Sequence, residues 1–283
     1  MRLYRSRRVL AFFALTFGFS WTCWAVVLIR GVDYLSASAL PFFVAGSFGP
    51  LFAALVMRRV GRGERPPVLP TGRRFRWWVW LPAGLALGSV GALVASAATS
   101  ALGESGVDLH VGAKAATAYG NPLAFLLVYL LLGPLSEEPG WRGWLYPRLR
   151  SRASVLRIGL TFGPIWTLWH LPLFLIAGTY QHSLGIFTID GLLFLLSTTA
   201  LAVVISYAYE RLGGLWAGIS VHFSSNTVST VLGITSTAGM AWSTAAMVAL
   251  AAILIATWPT TAPTTEEHAV NATNTAAAQS FSV

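Results

Sequence analysis

Apolar residues fall along this chain in eight long windows, each about 20 residues with few charges, a length that reads as a bilayer-spanning helix. The windows cover residues 9–29, 40–57, 77–101, 122–138, 158–177, 186–208, 215–234 and 240–258. Polar positions are mostly confined to short turns between them, which leaves no room for a separate soluble domain. The expected fold is all-α, a polytopic transmembrane helix bundle of about eight spanning helices over residues 1–258. The remaining 259–283 are largely Thr, Ala, Asn and Ser, a composition that predicts a disordered tail.

Two windows break the plain apolar pattern. The fourth ends in Ser136-Glu137-Glu138-Pro139-Gly140-Trp141-Arg142, two adjacent carboxylates and an arginine at the close of an apolar run. The seventh carries Ser220, His222, Ser224, Ser225, Asn226, Thr227, Ser229 and Thr230 within eleven residues. A helix that polar must turn away from lipid, toward the bundle interior or a water-filled cavity, and such positions are functional-site candidates by default.

Composition supports the membrane reading: 55% of the residues are hydrophobic and 10% charged, against roughly 25% charged in soluble domains. A net charge of +9 would suggest nucleic acid in a soluble protein, but here the arginines sit almost wholly on alternate loops, with only Arg30 and Lys114 on the other side. Arg2, Arg5, Arg7 and Arg8 precede the first window, and Arg58, Arg59, Arg62, Arg65, Arg73, Arg74 and Arg76 lie between the second and third. A third group runs from Arg142 to Arg157, and Arg211 follows the sixth window. By the positive-inside rule both termini are cytoplasmic and the basic loops face an anionic leaflet, so no nucleic-acid partner is expected. The expected location is the plasma membrane, with the first window an uncleaved signal anchor. Cys23 is the only cysteine, which excludes a disulfide framework and a cysteine metal site.

Helical spacing sorts the candidate chemistry. Glu138 and Arg142 are four apart and share a face, so they can pair, while Glu137 is rotated roughly 100° away and is left free. Pro139 cannot donate to the carbonyl of Leu135, which loosens the helix beside that free carboxylate. His222 and Asn226 are also four apart on one face. His170 sits in an apolar window after Trp166 and Trp169. At about 1.5 Å per residue, Glu137 falls about 8 Å from the inner edge of the bilayer core and His170 and Asn226 about 17–18 Å from theirs, a mismatch of about 10 Å.

In these residues the chain resembles the CPBP intramembrane proteases, which include the type II CAAX prenyl endopeptidases. Their pattern is E-E-x-x-x-R, F-x-x-x-H and H-x-x-x-N/D. Here it reads Glu137-Glu138-Pro-Gly-Trp-Arg142, Trp166-x-x-x-His170 and His222-x-x-x-Asn226, over residues 120 to 235, with Trp166 in place of Phe. The resemblance implies an intramembrane endopeptidase, a hydrolase acting on membrane-associated proteins or peptides. It implies Glu137 as general base, His170 holding the water, His222 and Asn226 stabilising the oxyanion, and Glu138 with Arg142 ordering the helix end. Two histidines and a glutamate can also hold catalytic zinc, so Glu137, His170 and His222 are the candidate metal ligands for Zn2+. The alternative from another class is a non-catalytic membrane scaffold or bacteriocin-immunity-type protein of the same family. A transporter would show an internal repeat, and none is present.

Overall fold

The computed structural model describes residues 6–61, 67, 69, 75–104 and 107–258. The tail 259–283 and Arg2, Arg5, Arg62, Arg65, Arg73 and Arg74 lie outside the described residues. Among the described residues every regular element is helical. In chain order they are α1 (Arg7–Arg30), α2 (Leu40–Ser47), α3 (Gly49–Val60), α4 (Trp77–Ala101), α5 (Leu109–Thr117), α6 (Pro122–Arg150), α7 (Val155–Trp169), α8 (Tyr180–Leu184), α9 (Ile189–Gly213), α10 (Leu215–Val231) and α11 (Thr237–Ala256).

Each of the eight apolar windows is helical, but fewer than eight helices are long enough to cross a membrane. Five meet the length and composition of a span, or six if α2 and α3, bent by 53°, form one. The two that fall short carry the histidine motifs. The 15 residues of α7 reach about 22 Å and the 17 of α10 about 26 Å, against an apolar core of about 30 Å. A hydropathy window counts apolar residues without regard to where the helix stops. In the fifth window the helix ends at Trp169, and a 3-10 turn over Leu171–Leu175 with Pro172 near its start takes up the rest.

The fourth window errs the other way. Its helix continues past Glu138 to Arg150, so Glu137 stands near the middle of α6 rather than at its end. The charges that closed the window in sequence are buried. About 20 Å of helix, 13 residues, follow Glu137, against about 8 Å expected from sequence. α6 is not uniform: wide π turns at Leu131–Leu135 and Trp141–Leu145 flank a short α turn at Ser136–Gly140. Pro134 and Pro139 each lack an N–H, which frees carbonyls upstream, and the Ser136 hydroxyl donates to the Gly133 carbonyl at 3.0 Å. Such π turns put an extra residue into the helix and re-aim the side chains around it.

The helices around α6 hold this irregular middle. α3 packs on the Ser136–Gly140 turn, α10 packs on the Leu131–Leu135 turn, and α9 lies against α7, α10 and α11. α4 meets α10 at backbone distance: a Cβ on Gly84 would strike the Ser220 hydroxyl, and one on Gly88 the Val221 carbonyl oxygen and the Ser224 hydroxyl. The Gly84-x-x-x-Gly88 spacing thus fixes the helix that carries His222. Aromatic side chains fill the core. Trp24, Trp141, Trp144, Trp166 and Trp169 are fully buried, Phe12 stacks on Trp144 at 4.7 Å, and the Trp21 indole donates to the Trp169 carbonyl at 3.0 Å. Glu210, near the end of α9, is buried. It accepts from Tyr146 Oη at 2.8 Å, Arg150 Nε at 2.9 Å and Trp258 Nε1 at 3.0 Å, tying the far ends of α6, α9 and α11 together.

Candidate active site

The middle of α6, the end of α7 and the middle of α10 bring the sequence candidates into one buried cluster. Glu138 and Arg142 pair as their spacing predicts, with Arg142 Nη1 3.0 Å from Glu138 Oε1 and both side chains 0% exposed. Arg142 also donates to the Ala202 carbonyl of α9 at 3.2 Å, and its guanidinium lies over the rings of Phe162 and Trp166. A charge with no solvent needs this many partners to stay folded in place.

His222 goes to the same carboxylate, its Nδ1 2.8 Å from Glu138 Oε1. A carboxylate paired to arginine only accepts, so Nδ1 carries the proton and Nε2 is the ring's free nitrogen. That nitrogen and the Asn226 amide converge on the first π turn. A Cβ at Gly133 would lie 3.2 Å from Asn226 Nδ2 and 3.6 Å from His222 Nε2, so glycine keeps open the small space they share. A carbonyl oxygen placed there would meet two nitrogens from one helix face.

Glu137 does not point into empty space, as its rotation away from Arg142 suggested. Its Oε2 accepts from two indoles, Trp166 Nε1 at 2.7 Å and Trp141 Nε1 at 3.2 Å. Sequence reading missed both as partners. The Trp141 contact carried a signal, since 137 and 141 are four apart like 138 and 142, whereas the Trp166 contact joins two helices and carried none. His170 caps α7, with Nδ1 2.8 Å from the Trp166 carbonyl, so its Nδ1–H donates there and its Nε2 is left as an acceptor. Its ring lies 6.1 Å from that of Trp166, which lies 5.3 Å from His222. His110 and His182 are exposed and outside this cluster.

Among the described residues no group of three His, Cys, Asp or Glu side chains stands close enough to hold a metal ion. Glu137, His170 and His222 therefore do not form a preassembled zinc centre. Glu137 Oε2 is taken by the two indole N–H groups.

These features define an integral membrane protein in which buried carboxylates and the His222 imidazole meet the half-buried His170 and Asn226, groups of the kind that support acid–base chemistry. Residues 119–228 match the family model for the type II CAAX prenyl endopeptidase, Rce1-like, a stretch that holds all of the cluster described above. Through this segment the chain resembles the CAAX protease family. It is also similar to the protein named CAAX prenyl protease 2 of Methanococcus maripaludis, 34% identical over 116 residues, which make up 40% of this chain. The match spans 42% of that relative's length.

Proposed function

We propose that this protein is an intramembrane endopeptidase that hydrolyses peptide bonds of membrane-associated proteins or peptides, with Glu137 activating the water. The observation that carries the reading is the convergence of Asn226 Nδ2 and His222 Nε2 on Gly133, in a cluster that Trp166 links to the buried carboxylate of Glu137. In this reading Glu137 Oε1 takes a proton from the water as its oxygen attacks the peptide carbonyl carbon. His170 Nε2 holds the same water by its second hydrogen. The carbonyl oxygen, now negative, receives a hydrogen bond from Asn226 Nδ2 and, when the ring carries a second proton, from Nε2 of His222, whose Nδ1–H is held by the Glu138 carboxylate. As the C–N bond breaks, Glu137 returns the proton to the leaving amine. The family match and the name of the Methanococcus relative support the class of reaction.

Membrane proteomics comparing wild type with Glu137→Ala tests the function directly. New peptide termini should appear only in wild type, and identical terminal profiles would leave the protein without this activity. Gly133→Ala tests the oxyanion seat. Its added methyl group, 3.2 Å from Asn226 Nδ2, occupies the space a carbonyl would use. It should lower kcat by about 10²-fold, as loss of one oxyanion donor does elsewhere, with folding retained. A fully active Gly133→Ala protein would move the carbonyl elsewhere.

The arginine distribution supports cytoplasmic termini. In a Cys23→Ala background, Ala113→Cys on α5 should react with an impermeant thiol reagent in intact cells and Gly63→Cys should not. The opposite labelling would invert the topology.

A further inference from the structure

We infer that Trp166 is a positioning residue that fixes the Glu137 carboxylate through its indole N–H, a role that phenylalanine at this place in the motif cannot fill. The inference rests on Glu137 being the proton acceptor, as proposed above, and deepens that reading.

Trp166 touches each part of the cluster by a different part of itself. Its Nε1–H donates to Glu137 Oε2 at 2.7 Å. Its ring face carries the Arg142 guanidinium, 4.8 Å from the centroid. His222 meets the ring at 5.3 Å with an interplanar angle of 83°. Its backbone carbonyl orients the His170 ring through Nδ1. A phenyl ring in the same place can reproduce the face, the edge and the carbonyl, and it lacks only the N–H. That one group is what the residue at this position adds.

The N–H matters because the last torsion of a glutamate side chain is broad and roughly two-fold, so packing alone does not choose which oxygen points where. Two donors on one oxygen do choose. Trp141 and Trp166 approach Oε2 from different turns of the structure, one from α6 itself and one from α7, and together they leave Oε1 as the oxygen that faces a reactant. The Trp166 bond is the shorter of the two and crosses between helices. It therefore also couples the position of α7, and with it His170, to the carboxylate. Hydrogen bonds to a charged group inside a protein are the strong kind, and in a site this dry they stabilise the ionised carboxylate that a general base requires.

The test is steady-state cleavage by purified full-length protein in lipid, using a peptide substrate identified from the wild-type terminal profile, with thermal unfolding measured alongside. Trp166→Phe should lower kcat by about ten- to a hundredfold while KM and the unfolding midpoint stay near wild type. Replacing Trp166 with 3-benzothienylalanine, which keeps the bicyclic shape and substitutes sulfur for N–H, should give the same loss. Wild-type kcat in either folded variant would overturn the positioning role. A fall in unfolding midpoint with kcat preserved would make Trp166 a packing residue only. Glu137→Gln separates the two levels: if it cleaves like wild type, the proton-acceptor reading fails. If it is inactive while Trp166→Phe is fully active, the positioning inference alone fails.

Discussion

Glu137→Gln should reduce peptide cleavage by about 10²–10⁴-fold, the range that a positioned general acid–base group contributes, while the folded fraction and the unfolding midpoint hold. The expectation follows from how the side chain is held. The Gln carbonyl oxygen can keep both indole donors, Trp141 at 3.2 Å and Trp166 at 2.7 Å, so the shape and the buried hydrogen bonds survive. What is lost is an oxygen able to accept a proton. Wild-type cleavage by Glu137→Gln would remove the assignment. The same purified protein decides the metal question. Full activity of metal-free protein in chelator supports catalysis by the carboxylate alone. Stoichiometric zinc, with activity lost in chelator and restored by zinc, would require Glu137, His170 and His222 to draw together into a centre that the present side-chain arrangement does not form.

Arg142→Ala should be the most damaging change to stability, at about 3–5 kcal/mol, the cost of leaving one charge of a buried pair unmatched. Glu138 and Arg142 are both 0% exposed, so water cannot take the missing partner's place. The substitution also takes one donor from the Ala202 carbonyl, which keeps that of the Ser206 hydroxyl, and empties the space against Phe162 and Trp166. The expected result is a low yield of folded protein in detergent and a markedly lower unfolding midpoint. Arg142→Lys should recover only part of the loss, because an ammonium cannot reach Glu138 and Ala202 together in the planar geometry of a guanidinium or lie as well against the rings. An Arg142→Ala protein with unchanged stability and no activity would instead place the guanidinium on the substrate.

By itself the sequence determined the helical membrane class, since long apolar windows in lipid have helices as their simplest satisfied backbone. It also determined two local facts of the site: that Glu138 reaches Arg142, and that His222 and Asn226 share a face. Each is a spacing of four on one helix, and 3.6 residues per turn fixes such relations before any helix meets another. Tertiary structure decided everything that crosses between helices. It set α7 and α10 too short for a full span, extended α6 through its own buried charges, and gave His222 to Glu138. It turned Trp166 from an aromatic substitution into a hydrogen-bond donor, and made Glu210 a buried anchor. The physical reason is common to these cases. Hydropathy and periodicity weigh a side chain by its apolar bulk and its angle about one axis. The direction of an indole N–H or a carboxylate lone pair acquires meaning only when proline breaks, π turns and glycine contacts have set which helix stands opposite.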